Sequence, residues 1–88
     1  MEHFEDITIV LVLYNSAKVI ESCLTGFSKD QKIIAVDNAC SDGSGDLVAR
    51  LHPQAKIIRN EENRGYGPAA NQALALADTT YVLMINPD

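Results

Sequence analysis

The chain has 88 residues, 47% of them apolar, and a formal net charge of −5 at pH 7. This length corresponds to one small domain or to part of a larger one, and the apolar content is that of a globular protein rather than a disordered one. The acidic balance and the scattered positions of the seven lysines and arginines argue against a nucleic-acid partner or an anionic membrane surface, both of which require clustered basic residues.

Four segments are predicted as strands because they are rich in β-branched residues and almost continuously apolar, as is typical of strands buried on both faces of a parallel sheet. They are residues 7–13, 32–36, 55–59 and 80–85. Helical spacing of apolar residues lies between them. The order β-α-β-α-β-α-β therefore predicts an α/β fold of three layers, in which helices cover both faces of a mainly parallel sheet.

The limits of the three helices are predicted from residues that favour helix ends. Ser16 is a candidate N-cap of the first helix, and Gly26 lies near its end. Pro53 prevents the second helix from continuing. Gly67 is the candidate cap of the third helix, with Pro68 at its first helical position.

Two cysteines, Cys23 and Cys40, are too few for a disulfide framework or a zinc site, and they favour two reduced thiols. The N-terminal stretch MEHFED is acidic and lacks the basic and apolar regions of a signal peptide. No apolar run approaches the roughly 20 residues that span a bilayer. These features predict a cytoplasmic location and leave open a membrane association of the full-length protein.

Polar residues follow all four predicted strands. In an open parallel sheet, ligands bind beyond the carboxyl ends of the strands, near a switch in strand order. Turn chemistry accounts for any one of these loops taken alone, so the signal is the placement of all four at one edge. In chain order the loops begin with Tyr14, Asn15 and Ser16; with Asp37 and Asn38; with Asn60 to Gly65; and with Asn86, Pro87 and Asp88.

The residue types at this edge fit a nucleotide and a divalent cation. Asp37 can accept hydrogen bonds from a base or a ribose, and Tyr14 can stack on a base. Asp88, at the end of a strand, can ligate a hard cation that also binds substrate phosphates. The phosphate loop GxxxxGK[ST] is absent, and GxGxxG does not follow the first strand, so a dinucleotide-binding domain is disfavoured. A metal would have to neutralise the phosphates instead.

Four stretches in this order and spacing resemble the start of a family 2 glycosyltransferase with the GT-A fold: ITIVLVLYNS, IIAVDNACSDGS, IIRNEENRGYGPAANQAL and DTTYVLMINPD. The likeness is greatest to the subgroup that resembles bacterial rhamnosyltransferases. It implies a hexosyltransferase of cell-surface polysaccharide synthesis that moves a sugar from a nucleotide diphosphate donor to an acceptor hydroxyl, with Mg²⁺ or Mn²⁺. It also implies that residues 1–88 are one partial domain, the nucleotide-sugar-binding half of a catalytic domain, and inactive alone.

The resemblance assigns site residues by position. Tyr14 would lie beside the nucleobase with Asn15 close by, and Asp42 would shape the loop after the second strand more than touch the donor. The remaining nucleotide-binding positions are Asp37, which would hydrogen-bond the base, its neighbour Asn38, and Arg64, Gly65, Asn71 and Asn86. The final tripeptide NPD matches the family's DxD motif, in which the first residue meets the ribose and the last, Asp88, meets the metal.

Two departures from the family pattern change what is expected. Asn86 stands where an acid is usual, and its amide can bond a ribose hydroxyl but brings no charge. With Asp88 as the one carboxylate of this segment, affinity for the free ion should be weak, and the metal should arrive with the diphosphate. The chain is also shorter than the family's catalytic domain, whose general base lies in the absent half, so no catalytic residue is assigned.

Two other functions fit parts of the sequence. A non-catalytic nucleotide-binding module would use the same edge without transferring a sugar. The other is a flavodoxin-like or receiver-type signalling domain, and a receiver domain needs an acidic pair after the first strand and a lysine late in the chain. Tyr14 and Asn15 occupy the first position, and no lysine follows Lys56, which argues against the receiver domain.

In the family that this sequence resembles, the sheet continues beyond the fourth strand. These 88 residues do not include the further strands, so the fourth predicted strand, residues 80–85, should lie at an edge of the sheet. A flat apolar edge favours pairing with another chain. The sequence therefore predicts a homodimer formed through this strand.

Overall fold

The computed structural model describes residues 6–85 and residue 87. Its seven elements are β1 (Ile7–Leu13), α1 (Ala17–Thr25), β2 (Lys32–Asn38), α2 (Ser44–Leu51), β3 (Lys56–Asn60), α3 (Tyr66–Leu76) and β4 (Tyr81–Ile85). They follow the predicted order, and the predicted α/β class is confirmed. Within the described residues, none of the helices has the length and apolar character needed to cross a bilayer.

The four strands form one parallel sheet in the order β3-β2-β1-β4. The chain moves outward from β1 through β2 to β3 and then returns to the other side of β1. The strand order therefore reverses between β1 and β4. Such a reversal opens a crevice beyond the carboxyl ends of the strands, where ligands of open α/β sheets bind.

Helices cover both faces of the sheet, which gives the three predicted layers. Because successive side chains of a strand point to opposite faces, each strand contributes to two cores. Helices α1 and α2 cover one face through Ile20, Leu24 and Val48, which pack on Ile9, Leu11, Leu13, Ile33 and Ala35. Helix α3 covers the other face through Ala69 and Ala73, which pack on Val10, Ile34 and Val36.

Strand β2 is two residues longer than predicted. Asp37 and Asn38 were expected to follow the strand, but both belong to it, with Asp37 opposite Leu13 of β1 and Asn38 opposite Asn60 of β3. The prediction ended the strand at the last apolar residue. The backbone pairing of β2 continues further, because β1 and β3 still provide partners for Asp37 and Asn38. Both polar residues are therefore held on a hydrogen-bonded backbone.

Helix α1 begins after Ser16, as predicted, but the Ser16 side chain does not cap it. The Ser16 hydroxyl instead accepts a hydrogen bond from the backbone N–H of Tyr14 at 3.2 Å. A carboxylate from the loop after β2 serves the helix, because Asp42 Oδ2 accepts the N–H of Ala17 at 3.0 Å. The start of α1 is thus fixed by a residue distant in sequence.

The predicted start of helix α3 is wrong by two residues. The helix begins at Tyr66, with Gly65 in the N-cap position at φ 80° and ψ 171°. Pro68 is consequently the third helical residue rather than the first. Proline is tolerated there because the N–H groups of the first helical turn have no acceptor within the helix.

Strand β4 lies at an edge of the described sheet, as expected, with β1 as its neighbour. Three of its side chains are exposed: Tyr81 by 63%, Leu83 by 50% and Met84 by 37%. An apolar strand with one unpaired edge is a template for pairing with another chain. The homodimer stays a prediction.

We expect the protein to dimerise with rising concentration through β4, and Leu83→Lys to weaken the dimer because it places a charge on the exposed apolar strand. Sedimentation velocity measures both species. Ala49→Lys, which adds the same charge to an exposed position of α2, is the matched control. A wild-type protein that stays monomeric at every concentration would contradict this prediction.

Candidate functional site

The carboxyl ends of β1 and β2 meet at the same edge of the sheet, because Leu13 lies opposite Asp37. Tyr14 leaves β1 at this point with 62% of its surface exposed. Asn15 follows in the left-handed region at φ 49°, which asparagine tolerates better than most residues. Its Oδ1 accepts the N–H of Ser41 at 2.9 Å and so ties the end of β1 to the loop after β2.

Asp37 is the most enclosed carboxylate among the described residues of this edge, with 8% of the residue exposed. Its Oδ1 accepts the N–H of Cys40 at 2.8 Å, and its Oδ2 lies 3.5 Å from Nη1 of Arg59. A buried charge is costly unless it is paired, and Arg59 supplies the countercharge. A carboxylate has about four acceptor positions, so Asp37 keeps the capacity to accept from a ligand.

Arg59 was not singled out from the sequence, although it joins three elements of the site. It lies on β3 directly opposite Asp37. Its Nη2 lies 2.9 Å from Oδ1 of Asp46 in the first turn of α2. The Asp46 side chain is 81% exposed, so this second ion pair adds little stability and serves mainly to orient the guanidinium. The signal for Arg59 is the β2–β3 register, which the sequence alone does not give.

Gly45 of α2 leaves the space that the Asp37 carboxylate occupies. A Cβ atom at position 45 would overlap Oδ2 of Asp37 and would lie 3.0 Å from both Cγ of Asp37 and Nη1 of Arg59. Real Cβ atoms essentially never come that close to a carboxylate. The absence of a side chain at position 45 therefore allows α2 to approach the end of β2.

Asn38 points to the opposite face of the sheet and is 2% exposed. Its Nδ2 donates to Oδ1 of Asn63 at 2.9 Å and to the carbonyl of Gly65 at 3.2 Å. Its Oδ1 accepts the N–H of Arg64 at 2.9 Å and Nδ2 of Asn60 at 3.3 Å. The Asn38 amide therefore holds the segment between β3 and α3.

Asn60 of β3 and Gln72 of α3 connect the two elements on either side of this segment. Asn60 Nδ2 donates to Oε1 of Gln72 at 2.8 Å, and Gln72 Nε2 donates to Oδ1 of Asn60 at 3.0 Å. This reciprocal pair joins the end of the strand to the helix that follows the segment.

The loop after β2 is shaped by Asp42, as predicted. Its Oδ1 accepts the N–H and the hydroxyl of Ser44, and its Oδ2 accepts the N–H of Ala17. The hydrogen bonds from the Ser44 hydroxyl and from the Ala17 N–H hold the pKa of Asp42 below its usual value of 3.8. Ser44 Oγ in turn accepts the N–H of Ser16 at 2.8 Å. The loop thereby connects α1 and α2.

Both cysteines are free thiols, as predicted, and burial raises the pKa of each. The Cys40 thiol donates to the carbonyl of Leu13 and accepts the N–H of Asn15, each at 3.2 Å. Cys40 is therefore a contact between the ends of β1 and β2, and it is not activated as a nucleophile.

Of the other predicted nucleotide-binding residues, Arg64 and Gly65 directly precede α3, Asn71 lies within it, and Asn86 follows β4 in the sequence. Arg64, Gly65 and Asn71 are exposed, as is Tyr66, which was not predicted. Asn86 and the predicted metal ligand Asp88 lie outside the described residues. Among residues 6–85 and 87, no three histidine, cysteine, aspartate or glutamate side chains form a group that could hold a metal ion.

The sequence matches the family model described as glycosyl transferase family 2 over residues 8–88. The chain belongs to this family. Its fold agrees with the assignment, because the solved structure of Staphylococcus aureus TarS (residues 1–349) superposes with a TM-score of 0.83. That match has 27% sequence identity and covers 94% of this chain and 27% of TarS.

Two curated relatives are also similar. The succinoglycan biosynthesis protein ExoO of Rhizobium meliloti (strain 1021) is 31% identical over 94% of this chain and 25% of its own length. The poly-beta-1,6-N-acetyl-D-glucosamine synthase of Staphylococcus aureus (strain COL) is 28% identical over all of this chain and 23% of its own length. The chain thus spans about a quarter of the curated relatives that it matches.

We expect Gly45→Ala to lower the free energy of unfolding by about 1 to 3 kcal/mol, the usual cost of overpacking. The added methyl group would overlap the Asp37 carboxylate, whereas the same change in an open helix would stabilise by up to about 1 kcal/mol. Urea unfolding measures the change. Gly26→Ala is the matched control, since its Cβ would meet its nearest atom at 3.9 Å. A stabilised Gly45→Ala protein would show that the carboxylate is not fixed there.

We expect Asp42→Asn to destabilise the protein near neutral pH. The carboxylate accepts hydrogen bonds from the N–H groups of Ala17 and Ser44, and the amide would turn its own NH₂ group toward one of these two donors. The folded pKa of Asp42 is lowered, so its contribution is present above 3.8 and is lost as the pH falls through the folded pKa. Urea unfolding should therefore give a difference between the two proteins that shrinks below pH 3.8. Asp30→Asn, in an exposed loop, controls for the loss of a carboxylate. A difference that is constant with pH would contradict this explanation.

Proposed function

We propose that this chain is the donor-binding part of a glycosyltransferase, and that it binds a nucleotide diphosphate sugar at the carboxyl edge of its sheet. The observation that carries the proposal is Asp37. It is an enclosed carboxylate with spare acceptor positions, held at the edge where ligands of open α/β sheets bind. The chain's membership of glycosyl transferase family 2 supports the same function.

Asp37 would recognise the nucleobase. A carboxylate accepts hydrogen bonds and cannot donate them, so it selects a base edge that presents an N–H group. Uracil and thymine present one such N–H. Hydrogen bonds between a charged group and a ligand are the stronger class, so this contact would dominate base selection.

The exposed residues of the two neighbouring loops would complete the nucleotide site. Tyr14 offers an exposed aromatic face, which suits stacking on the base beside Asp37. Arg64 offers a positive charge for the diphosphate. The resemblance stated above extends the site to Asn15, Gly65, Asn71 and Asn86.

Asp88 would hold Mg²⁺ or Mn²⁺ together with the diphosphate of the donor. Such cations are bound in proteins by one or two carboxylates, substrate phosphates and water, which suits a segment with one acid. When bound, the ion would neutralise charge on the leaving diphosphate. Because Asp88 is the one acid of this segment, the metal should add affinity for the donor rather than bind first.

The sugar would be a hexose, and the acceptor would be a hydroxyl of a growing polysaccharide. The similarity to the succinoglycan biosynthesis protein ExoO and to poly-beta-1,6-N-acetyl-D-glucosamine synthase supports this class of product. Rhamnose is a candidate among the hexoses, because of the subgroup that the sequence resembles. Transfer also needs a base that deprotonates the acceptor, and we assign none to these 88 residues.

The proposal is tested by calorimetric titration of the protein with UDP-glucose, UDP-N-acetylglucosamine and dTDP-rhamnose, each with and without Mn²⁺. We expect at least one donor to bind more tightly with Mn²⁺. Asp88→Asn should remove the gain from Mn²⁺, whereas Asp37→Asn should weaken binding about tenfold or more under both conditions, as expected for a lost charge-assisted contact.

Asp30→Asn is the matched control, because it removes one carboxylate from an exposed loop that precedes β2 and lies away from the proposed site. It should leave the binding of every donor unchanged. Failure of all three donors to show Mn²⁺-dependent binding would refute the proposed function. Equal binding by wild type and Asp37→Asn would refute the assigned role of Asp37.

A further inference from the structure

Asn38 uses its entire hydrogen-bonding capacity inside the protein. A side-chain amide has two N–H donors and two acceptor lone pairs. Both donors are taken, by Asn63 and by the Gly65 carbonyl, and both acceptor positions are taken, by the Arg64 N–H and by Asn60. With 2% of the residue exposed, no capacity remains for a ligand.

We propose that Asn38 is a positioning residue: it fixes the segment 61–65 and the start of α3 against the sheet, so that Arg64 meets the donor from a defined backbone position. This inference rests on the proposed function for its ligand. It differs from the nucleotide contact that the family resemblance assigns to Asn38, because the residue would act through the segment and not touch the donor.

Three consecutive residues of the segment are bound by the one amide. Asn38 contacts the side chain of Asn63, the N–H of Arg64 and the carbonyl of Gly65. Asn63 Oδ1 also accepts the N–H of Gly65 at 2.8 Å, which closes a tight turn. Asn38 therefore holds the peptide before Arg64 directly, and the peptide after Arg64 through the side chain of Asn63.

Glycine at position 65 allows the turn that this arrangement needs. Its φ of 80° with ψ of 171° lies in a region that is essentially restricted to glycine. Gly65 also occupies the N-cap position of α3. The Asn38 amide, which donates to the Gly65 carbonyl, therefore also sets where the helix begins. Without Asn38, the exposed segment would keep few contacts with the sheet.

The test uses Asn38→Asp, which preserves shape but replaces both N–H donors with an acceptor. The new oxygen would face Oδ1 of Asn63 and the Gly65 carbonyl, and like partial charges at hydrogen-bond distance repel each other. We expect faster amide hydrogen exchange in residues 61–67 and a Kd for the Mn²⁺-dependent donor that rises about tenfold or more. Gln54→Glu makes the same chemical change at an exposed position on another loop and should alter neither quantity.

Asn63→Ala is the second variant, since it removes the loop side of one contact from an exposed position and leaves the buried strand intact. It should change exchange and Kd in the same direction by a smaller factor, even if Asn38→Asp fails to fold. All Kd values are measured where thermal unfolding shows the variants to be folded, so a general loss of stability does not change them.

The possible results separate this inference from the proposed function. Faster exchange with weaker donor binding supports a positioning role. Unchanged exchange with lost binding would mean that Asn38 touches the donor directly. Faster exchange with unchanged binding would mean that the position of the segment 61–65 does not matter for donor binding. Either result overturns the inference. If the wild-type protein binds none of the three donors, the proposed function fails, and hydrogen exchange alone decides whether Asn38 holds the segment.

Discussion

The alternation of side chains at the end of β2 is the constraint on which the site depends. Asp37 and Asn38 are adjacent in sequence, but they point to opposite faces of a sheet that is covered on both sides. Asp37 meets the layer of α1 and α2, where a carboxylate is paired with Arg59. Asn38 meets the layer of α3, where an amide is surrounded by other amides and backbone groups. One strand end therefore supports two separate networks.

The network around Asp37 keeps a charge available at low exposure. Removing a carboxylate from water is costly, and the cost is offset by one backbone N–H and one guanidinium. Neither partner saturates the carboxylate, so it can still accept from a ligand. The neighbouring loop takes one acceptor position of Asp37, through the Cys40 N–H, and the rest of its shape is fixed by Asp42 and Ser44.

The sequence predicts the fold well because apolar runs and helix-forming segments are local signals. Strand β1 has the predicted limits, and the order of the elements is correct. The site is predicted less completely, because its partners are distant in sequence. Arg59 is 22 residues from Asp37, and their meeting depends on strand register rather than on any local pattern. The start of α3 is misplaced for the same reason, since Pro68 is a local signal, whereas the position of Gly65 is set by Asn38.

The register between β2 and β3 places the partners of both networks on the end of β3 as well. Asp37 lies opposite Arg59, and Asn38 lies opposite Asn60, so a charge pairs with a charge on one face and an amide with an amide on the other. Because the side-chain period of a strand is two, a slip of one residue would place Arg59 among the amides and leave the Asp37 carboxylate without its countercharge. The polar ends of the two strands thus favour the same register as their apolar residues. The pairs that position the site therefore also help to specify the sheet that carries it.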